Sequence, residues 1–139
     1  RPPRPRPPPG ARPSPPRAPT PPDSACFTAP PPGSAHRHRT EAEAIAAVFG
    51  PRGVPVAAPK ALTGRLLAGG GPLDVVAALF ALRDGLLPAV PYEGETPDAY
   101  GIDLVRGTPR PTSARAALVL ARGRWGFNSA VVVKAADRG

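Results

Sequence analysis

A helical pattern of apolar positions begins at residue 40. Thr40-Glu-Ala-Glu43 has the spacing of a capping box, in which Thr40 is the N-cap and Glu43 occupies the third helical position. The residues that follow supply an apolar face at Ala44, Ile45, Ala47 and Val48. Gly50 and Pro51 then predict the end of this helix.

A second helical pattern follows Pro72, a residue that suits the first turn of a helix because the N–H it lacks would have no partner there. Apolar residues recur at three- and four-residue spacings over 73–82 and leave little polar surface. The pattern therefore predicts a helix that is buried on most sides and ends near Gly85.

Short apolar runs of strand length lie between and after these helices. They cover residues 54–58, 102–105, 116–120 and 130–133, whereas residues 86–101 are rich in Pro and Gly and are expected to be irregular. The last two runs flank a loop with glycines, which predicts adjacent strands buried on both faces. The order of elements predicts an α/β fold with a mixed sheet packed with helices.

The first forty residues have a different composition. They contain fifteen of the 24 prolines, and seven arginines against one acid, Asp23. Because proline lacks an N–H and disfavours helix before it, we expect no packed element here. Residues 1–39 are assigned to a disordered Pro/Arg-rich segment and residues 40–139 to the folded domain. Pro, Arg, Ala and Gly, whose codons begin with two G/C bases, supply 29 of these forty residues, so residues 1–39 are also interpreted as GC-rich DNA read out of frame.

The net charge of +8 arises mostly from this segment, so it says little about the folded domain. A basic, Pro-rich segment with PxxP spacing, as in Pro13-Ser-Pro-Pro16, leaves open an interaction protein that binds SH3-like domains or nucleic acid. No apolar run approaches the roughly 20 residues of a membrane span. We therefore expect no membrane partner and a cytoplasmic protein.

The sequence offers few side chains that could act in catalysis or bind a metal. Cys26 is the one cysteine, and the sequence predicts an exposed thiol without a catalytic role. His36 and His38 would make a weak metal site, so neither a metal nor a cofactor is predicted. Gly69-Gly-Gly71 precedes a helix but lacks the Lys-Ser/Thr of a phosphate-binding loop, and close backbone packing explains it better.

One segment resembles the β-ketoacyl synthase family, which has a thiolase-like fold. In that family a strand leads into a Lys-x-x-x-Gly-His loop and then a Gly-rich turn that opens a buried helix. Here the strand candidate at 54–58 leads to Lys60, Gly64 and Arg65, and then to residues 69–74, Gly-Gly-Gly-Pro-Leu-Asp. The spacing is kept, but Arg65 stands where the catalytic His belongs.

A second segment resembles the Gly-Phe-Gly-Gly loop near the C-terminus of condensing ketosynthases, which continues through a polar residue or His to Asn. Here residues 123–128 read Gly-Arg-Trp-Gly-Phe-Asn. Arg124 takes the place of the gating Phe, Phe127 that of the polar residue, and Asn128 is kept.

These departures are similar to one subfamily, the polyketide chain length factors, which are the β subunits of type II ketosynthases. The shared sequence motifs cover residues 59–60, 63–66, 69–75, 100–105 and 117–130, and the resemblance runs from about Glu41 to the end. It implies a partial C-terminal half of a thiolase-like fold. It further implies a non-condensing subunit that pairs with a ketosynthase α subunit, meets the acyl carrier protein through that complex, and helps to set polyketide chain length.

The resemblance implies active-site-equivalent but non-catalytic roles for Lys60, Arg65, Arg124, Phe127 and Asn128. Lys60 would order the active-site loop through an ion pair, and Arg65 would form a salt bridge in the old His position or contact a carrier phosphopantetheine. Arg122 with Arg124 and Trp125 could bind nucleic acid, although a loop at the former active site is the better interpretation and no nucleic-acid partner is predicted.

Whether the chain is an enzyme stays open at this point, since an active β-ketoacyl synthase, an acyltransferase, remains an alternative. A condensing enzyme needs a Cys nucleophile and His side chains, and no residue from 41 onward is either. The sequence therefore favours a non-catalytic subunit.

Overall fold

The computed structural model describes residues 23–28, 35–64, 66–91, 100–123 and 126–136. Within them seven strands and three α-helices follow one another along the chain. The strands are β1 (Ser24–Phe27), β2 (Pro55–Ala57), β3 (Leu86–Leu87), β4 (Asp103–Leu104), β5 (Arg110–Pro111), β6 (Ala116–Arg122) and β7 (Asn128–Lys134). The helices are α1 (Ala35–Phe49), α2 (Lys60–Thr63) and α3 (Gly70–Asp84), and a 3₁₀ turn covers Leu67–Gly69.

Five strands form one sheet in the order β4-β2-β1-β6-β7, and β3 pairs with β5 in a separate two-stranded sheet. β1 runs parallel to both β2 and β6, β2 runs parallel to β4, and β7 is antiparallel to β6. The expectation of an α/β fold with a mixed sheet is confirmed.

The position of β1 corrects the expectation that the first forty residues hold no packed element. Ser24–Phe27 is the central strand of the large sheet, and all four residues are buried. These residues form a proline-free run of small and apolar side chains between Pro22 and Pro30, which leaves every N–H available for pairing. The division at residue 39 between a disordered segment and a folded domain is untested for residues 1–22, which lie outside the described part.

The start of the first helix is also corrected. α1 begins at Ala35, so Thr40 lies inside the helix and cannot be its N-cap. Prolines and glycine end at Gly33, and nothing in residues 35–39 opposes helix. The end at Phe49, before Gly50, agrees with the prediction.

Two apolar layers cover the two faces of the sheet. Alternate residues of β1 point to opposite faces, so that Phe27 packs with Ala78 and Ala81 of α3, while Cys26 packs with Ile45 of α1 and Val56 of β2. The strands predicted from residues 54–58, 102–105, 116–120 and 130–133 are all present. Besides β1, two short strands were missed: β5, and β3, which lies in residues expected to be irregular, of which 92–99 fall outside the described part.

Two elements are less buried than their apolar patterns predict. α3 buries one face only, through Gly70, Asp74, Ala78 and Ala81, and it exposes Val76, Leu79 and Phe80. β7 is largely exposed, although β6 beside it is buried over much of its length. Both elements are as apolar as buried elements, but they lie at the outside of the sheet and of its helical layer.

Candidate functional site at the carboxyl edge of the sheet

Polar side chains gather where the parallel strands end. Thr28 follows β1, Lys60 comes three residues after β2, and Arg122 ends β6. Because these strands are parallel, their carboxyl ends meet at one edge, which is the edge where open α/β sheets bind ligands. β7 starts at this edge as well, since Asn128 pairs with Arg122.

Lys60 and Asp74 form an ion pair at this edge. The Lys60 Nζ contacts Asp74 Oδ2, and the Asp74 side chain is fully buried whereas that of Lys60 is 11% exposed. Asp74 lies one turn into α3, and a Cβ added at Gly70 in the turn before it would lie 3.3 Å from Lys60 Cε. Glycine at this position therefore makes room for the lysine stem to reach Asp74 beneath the helix.

The Asp74 carboxylate depends on this lysine. Burial raises its pKa, because a buried carboxylate loses its hydration, and the hydrogen bond and charge of Lys60 oppose that rise. Apart from the Lys60 contact, neither carboxylate oxygen accepts a hydrogen bond from the described residues. The pair holds the loop after β2 against the first turns of α3.

Glu41 lies on α1 and connects it to the end of β1. The Thr28 hydroxyl donates a hydrogen bond to Glu41 Oε1. Burial raises the pKa of Glu41 to about 7, the positive charges of Arg122 and Lys60 counteract this, and the negative charge of Asp74 adds to it. Glu41 and Asp74 thus share one electrostatic environment with two cations at the edge of the sheet.

The thiol of Cys26 is not available for chemistry at this edge, which corrects the expectation of an exposed thiol. Cys26 is fully buried in the central strand. Burial raises its pKa to about 12, with a further contribution from the charge of Glu41. A thiolate, which is the nucleophilic form, is therefore strongly disfavoured.

Three of the five site residues predicted from the sequence lie at the carboxyl edge, and the other two fall outside the described residues. Lys60 makes the ion pair described above. Phe127 is 75% exposed, and Asn128 begins β7 with its side-chain amide donating to the Gly126 carbonyl at 3.2 Å, so both lie at the carboxyl edge. Arg65 and Arg124 fall outside the described residues. No group of three His, Cys, Asp or Glu suited to a metal occurs in the described ranges.

Sequence reasoning missed the site roles of Glu41, Thr28 and Asp74. A signal for Asp74 was present, because one carboxylate among the apolar residues 73–82 points to a buried charge with a nearby cation. No comparable signal marked Thr28, which lies in the segment assigned to disorder.

The fold and the family follow from comparison with known proteins. The structure superimposes on a solved ketosynthase/chain length factor named for ishigamide, with a TM-score of 0.75 over 82% of this chain and 28% of that one, at 20% sequence identity. This likeness defines the class, a thiolase-like α/β fold of which the chain is a part. Residues 27–91 match the family model of the β-ketoacyl synthase C-terminal domain.

Two curated relatives are considerably more similar in sequence. A protein of Streptomyces violaceoruber named as the granaticin polyketide β-ketoacyl synthase 2 is 66% identical over 95 residues, which are 68% of this chain and 23% of that protein. The tetracenomycin polyketide synthase ketoacyl synthase β subunit of Streptomyces glaucescens is 54% identical over 96 residues, 69% of this chain and 24% of that protein.

Residues 27–91 belong to the β-ketoacyl synthase C-terminal domain family, and the chain is similar to polyketide β subunits, the chain length factors. It spans about a quarter of the length of the curated relatives it matches. The family match begins at residue 27, ahead of the start near Glu41 that the motifs indicated, and it therefore includes the end of β1. No helix in the described part of the chain is long and apolar enough to cross a membrane.

Proposed function

We propose that this chain serves as part of a non-condensing chain length factor, in the cytoplasm, which pairs with a ketosynthase α subunit and helps to set the length of a polyketide. The acyl carrier protein would meet it through that complex. The observation that carries this proposal is the composition of the carboxyl edge. The edge holds an ion pair, a second carboxylate and an arginine, while the chain's one thiol is buried within the sheet.

Condensation requires groups that the described side chains at this edge do not offer. A condensing site needs a thiolate nucleophile and an imidazole or comparable base. Cys26 has a pKa of about 12, and both histidines precede residue 40. Lys60 is committed to Asp74, so it is a poor candidate for a base. The relatives whose names specify β-ketoacyl synthase 2 or a β subunit support the same role.

A segment exchange tests the proposal. The matching 96-residue segment of the tetracenomycin β subunit is replaced by this chain's segment, and the hybrid is produced together with its ketosynthase α subunit and carrier protein. We expect the hybrid to co-purify with the α subunit and to support polyketide formation, with any change confined to product length.

The same segment placed into the α subunit is the matched arm. We expect that hybrid to lose condensation when the segment is taken from residue 41 onward, because no histidine follows residue 40 in this chain. Condensation by the α hybrid would overturn the proposal, and so would a folded β hybrid that fails to bind the α subunit.

A further inference from the structure

Strand β7 forms an open edge of the five-stranded sheet. It pairs with β6 along all seven residues, in a regular antiparallel ladder without a bulge. Among the described residues it has no strand on its other side. Val131 and Val132, on opposite faces, are 46% and 47% exposed. A long, regular, apolar edge of this kind is a template for pairing with another strand.

The backbone groups that this edge presents can be identified from the ladder. The Ala135 N–H donates to the Arg115 carbonyl at 2.8 Å, and the Phe127 carbonyl accepts from the Gly123 N–H at 2.7 Å. Odd-numbered residues therefore point their N–H and C=O groups towards β6, because the direction alternates along a strand. The groups directed outward belong to Asn128, Ala130, Val132 and Lys134.

We propose that this edge is a homodimer interface, in which β7 pairs antiparallel with β7 of a second copy about a two-fold axis at Val131. In this register Ala130 lies opposite Val132 and Asn128 lies opposite Lys134, in both directions. Every outward N–H and C=O then meets an outward group of the other copy, as the hydrogen-bonded pairs of an antiparallel ladder require. Val131 meets its own counterpart as a non-hydrogen-bonded pair, in which side chains approach most closely.

The distribution of charge along β7 is compatible with pairing to β7 of a second copy. Lys134 is the one charged residue of the strand, and in this register it faces Asn128 instead of another lysine. The opposite edge of the sheet, β4, has two residues and offers little to pair with. Because the described residues offer one self-complementary edge, the association closes at a dimer and does not continue into a filament.

A charge exchange at the axis tests this register. The 139-residue chain and the variants Val131→Lys and Val131→Glu are each studied by sedimentation velocity from about 1 to 100 µM, with circular dichroism as the test of folding. We expect the unchanged chain to dimerise. For each variant alone, the dissociation constant of the dimer should be about tenfold or more higher than for the unchanged chain, because like charges would lie opposite each other. An equimolar mixture of the two variants should dimerise again, because Lys then faces Glu.

A second pair of variants tests the outward backbone groups. Val132→Pro removes an N–H that points away from β6, so the intramolecular ladder stays intact while one intermolecular hydrogen bond is lost in each direction. Val132→Thr keeps the N–H and the branched shape, and it is the matched control. We expect a monomer for the proline variant and a dimer for the threonine variant.

Several results would overturn the proposal. They are a folded, unchanged chain that remains monomeric at 100 µM, a mixture of the charge variants that does not recover the dimer, and a folded Val132→Pro variant that dimerises like the threonine control. This proposal does not depend on the chain length factor assignment, so either can fail without the other.

Discussion

Replacement of Lys60 by methionine should destabilise the protein strongly, because it leaves the Asp74 carboxylate buried without its cation. Methionine retains the unbranched apolar stem that passes Gly70, so the change mainly removes the charge. Breaking a buried ion pair by removing one partner costs about 3–5 kcal/mol. A domain of this size is stable by roughly 5–15 kcal/mol, so much of the folding free energy would be lost.

The loss should depend on pH in a defined direction. Burial raises the pKa of Asp74 in the folded protein, and Lys60 lowers it. Without Lys60 the folded pKa rises further above that of the unfolded chain. The folded state then binds a proton more readily, so stability falls as pH rises through the interval between the two pKa values. We expect the Lys60→Met variant to lose less stability at pH 5 than at pH 8.

Urea unfolding followed by far-ultraviolet circular dichroism at pH 5 and pH 8 measures both effects. Lys134→Met is the matched control, because it removes the chain's other lysine from an exposed strand; at a concentration where the chain is monomeric, it should change stability by less than about 0.5 kcal/mol. Asp74→Asn should cost less than Lys60→Met, since the flexible lysine can turn towards solvent. A Lys60→Met variant that is as stable as its control at pH 8 would refute this account of the pair.

Three further perturbations test other parts of the structure. Glu41→Gln should flatten the fall in stability between about pH 4.5 and 7, because the folded pKa of about 7 lies above the ordinary glutamate value of 4.5; an unchanged slope of unfolding midpoint against pH would contradict this. Cys26 should resist a thiol reagent at pH 8 in the folded chain and react at once in urea, so fast labelling of the native protein would argue against its burial. Removal of residues 1–22 should preserve cooperative unfolding, whereas removal of residues 1–28 should abolish it, since only the longer deletion takes away β1; equal melting curves for the two deletions would speak against β1 as the central strand.

The sequence predicted the elements whose local pattern agrees with their place in the fold. The second helix and the strands around Val56 and Leu118 have both apolar periodicity and clear Gly or Pro boundaries, and they were found. β1 was missed because its four residues lie between prolines, and only the pairing with β2 and β6, far away in sequence, makes them a strand. Local propensity cannot report a partner of that kind.

The site was also predicted only in part, because the tertiary packing that completes it leaves no local pattern in the sequence. The family motif drew attention to Lys60, but its partner Asp74 is fixed by how α3 packs over the loop after β2. Glu41 was interpreted as part of the match and not as a buried acid, because its environment is made by Thr28, Lys60, Asp74 and Arg122 from four separate elements. The prediction of burial was most clearly wrong for Val131 and Val132, since an apolar pattern does not distinguish a central strand from an edge strand.

The central place of β1 has a consequence for how the chain folds. Its pairing with β6 joins residues about 90 positions apart, from Ser24↔Ala116 to Phe27↔Val119. The β6–β7 hairpin is local and can form quickly, but the two halves of the large sheet are joined only through β1. Closing so long a loop is slow, because conformational entropy of the chain is lost before the contacts that compensate for it have formed. We therefore expect the insertion of these four residues between β2 and β6 to limit the rate of folding.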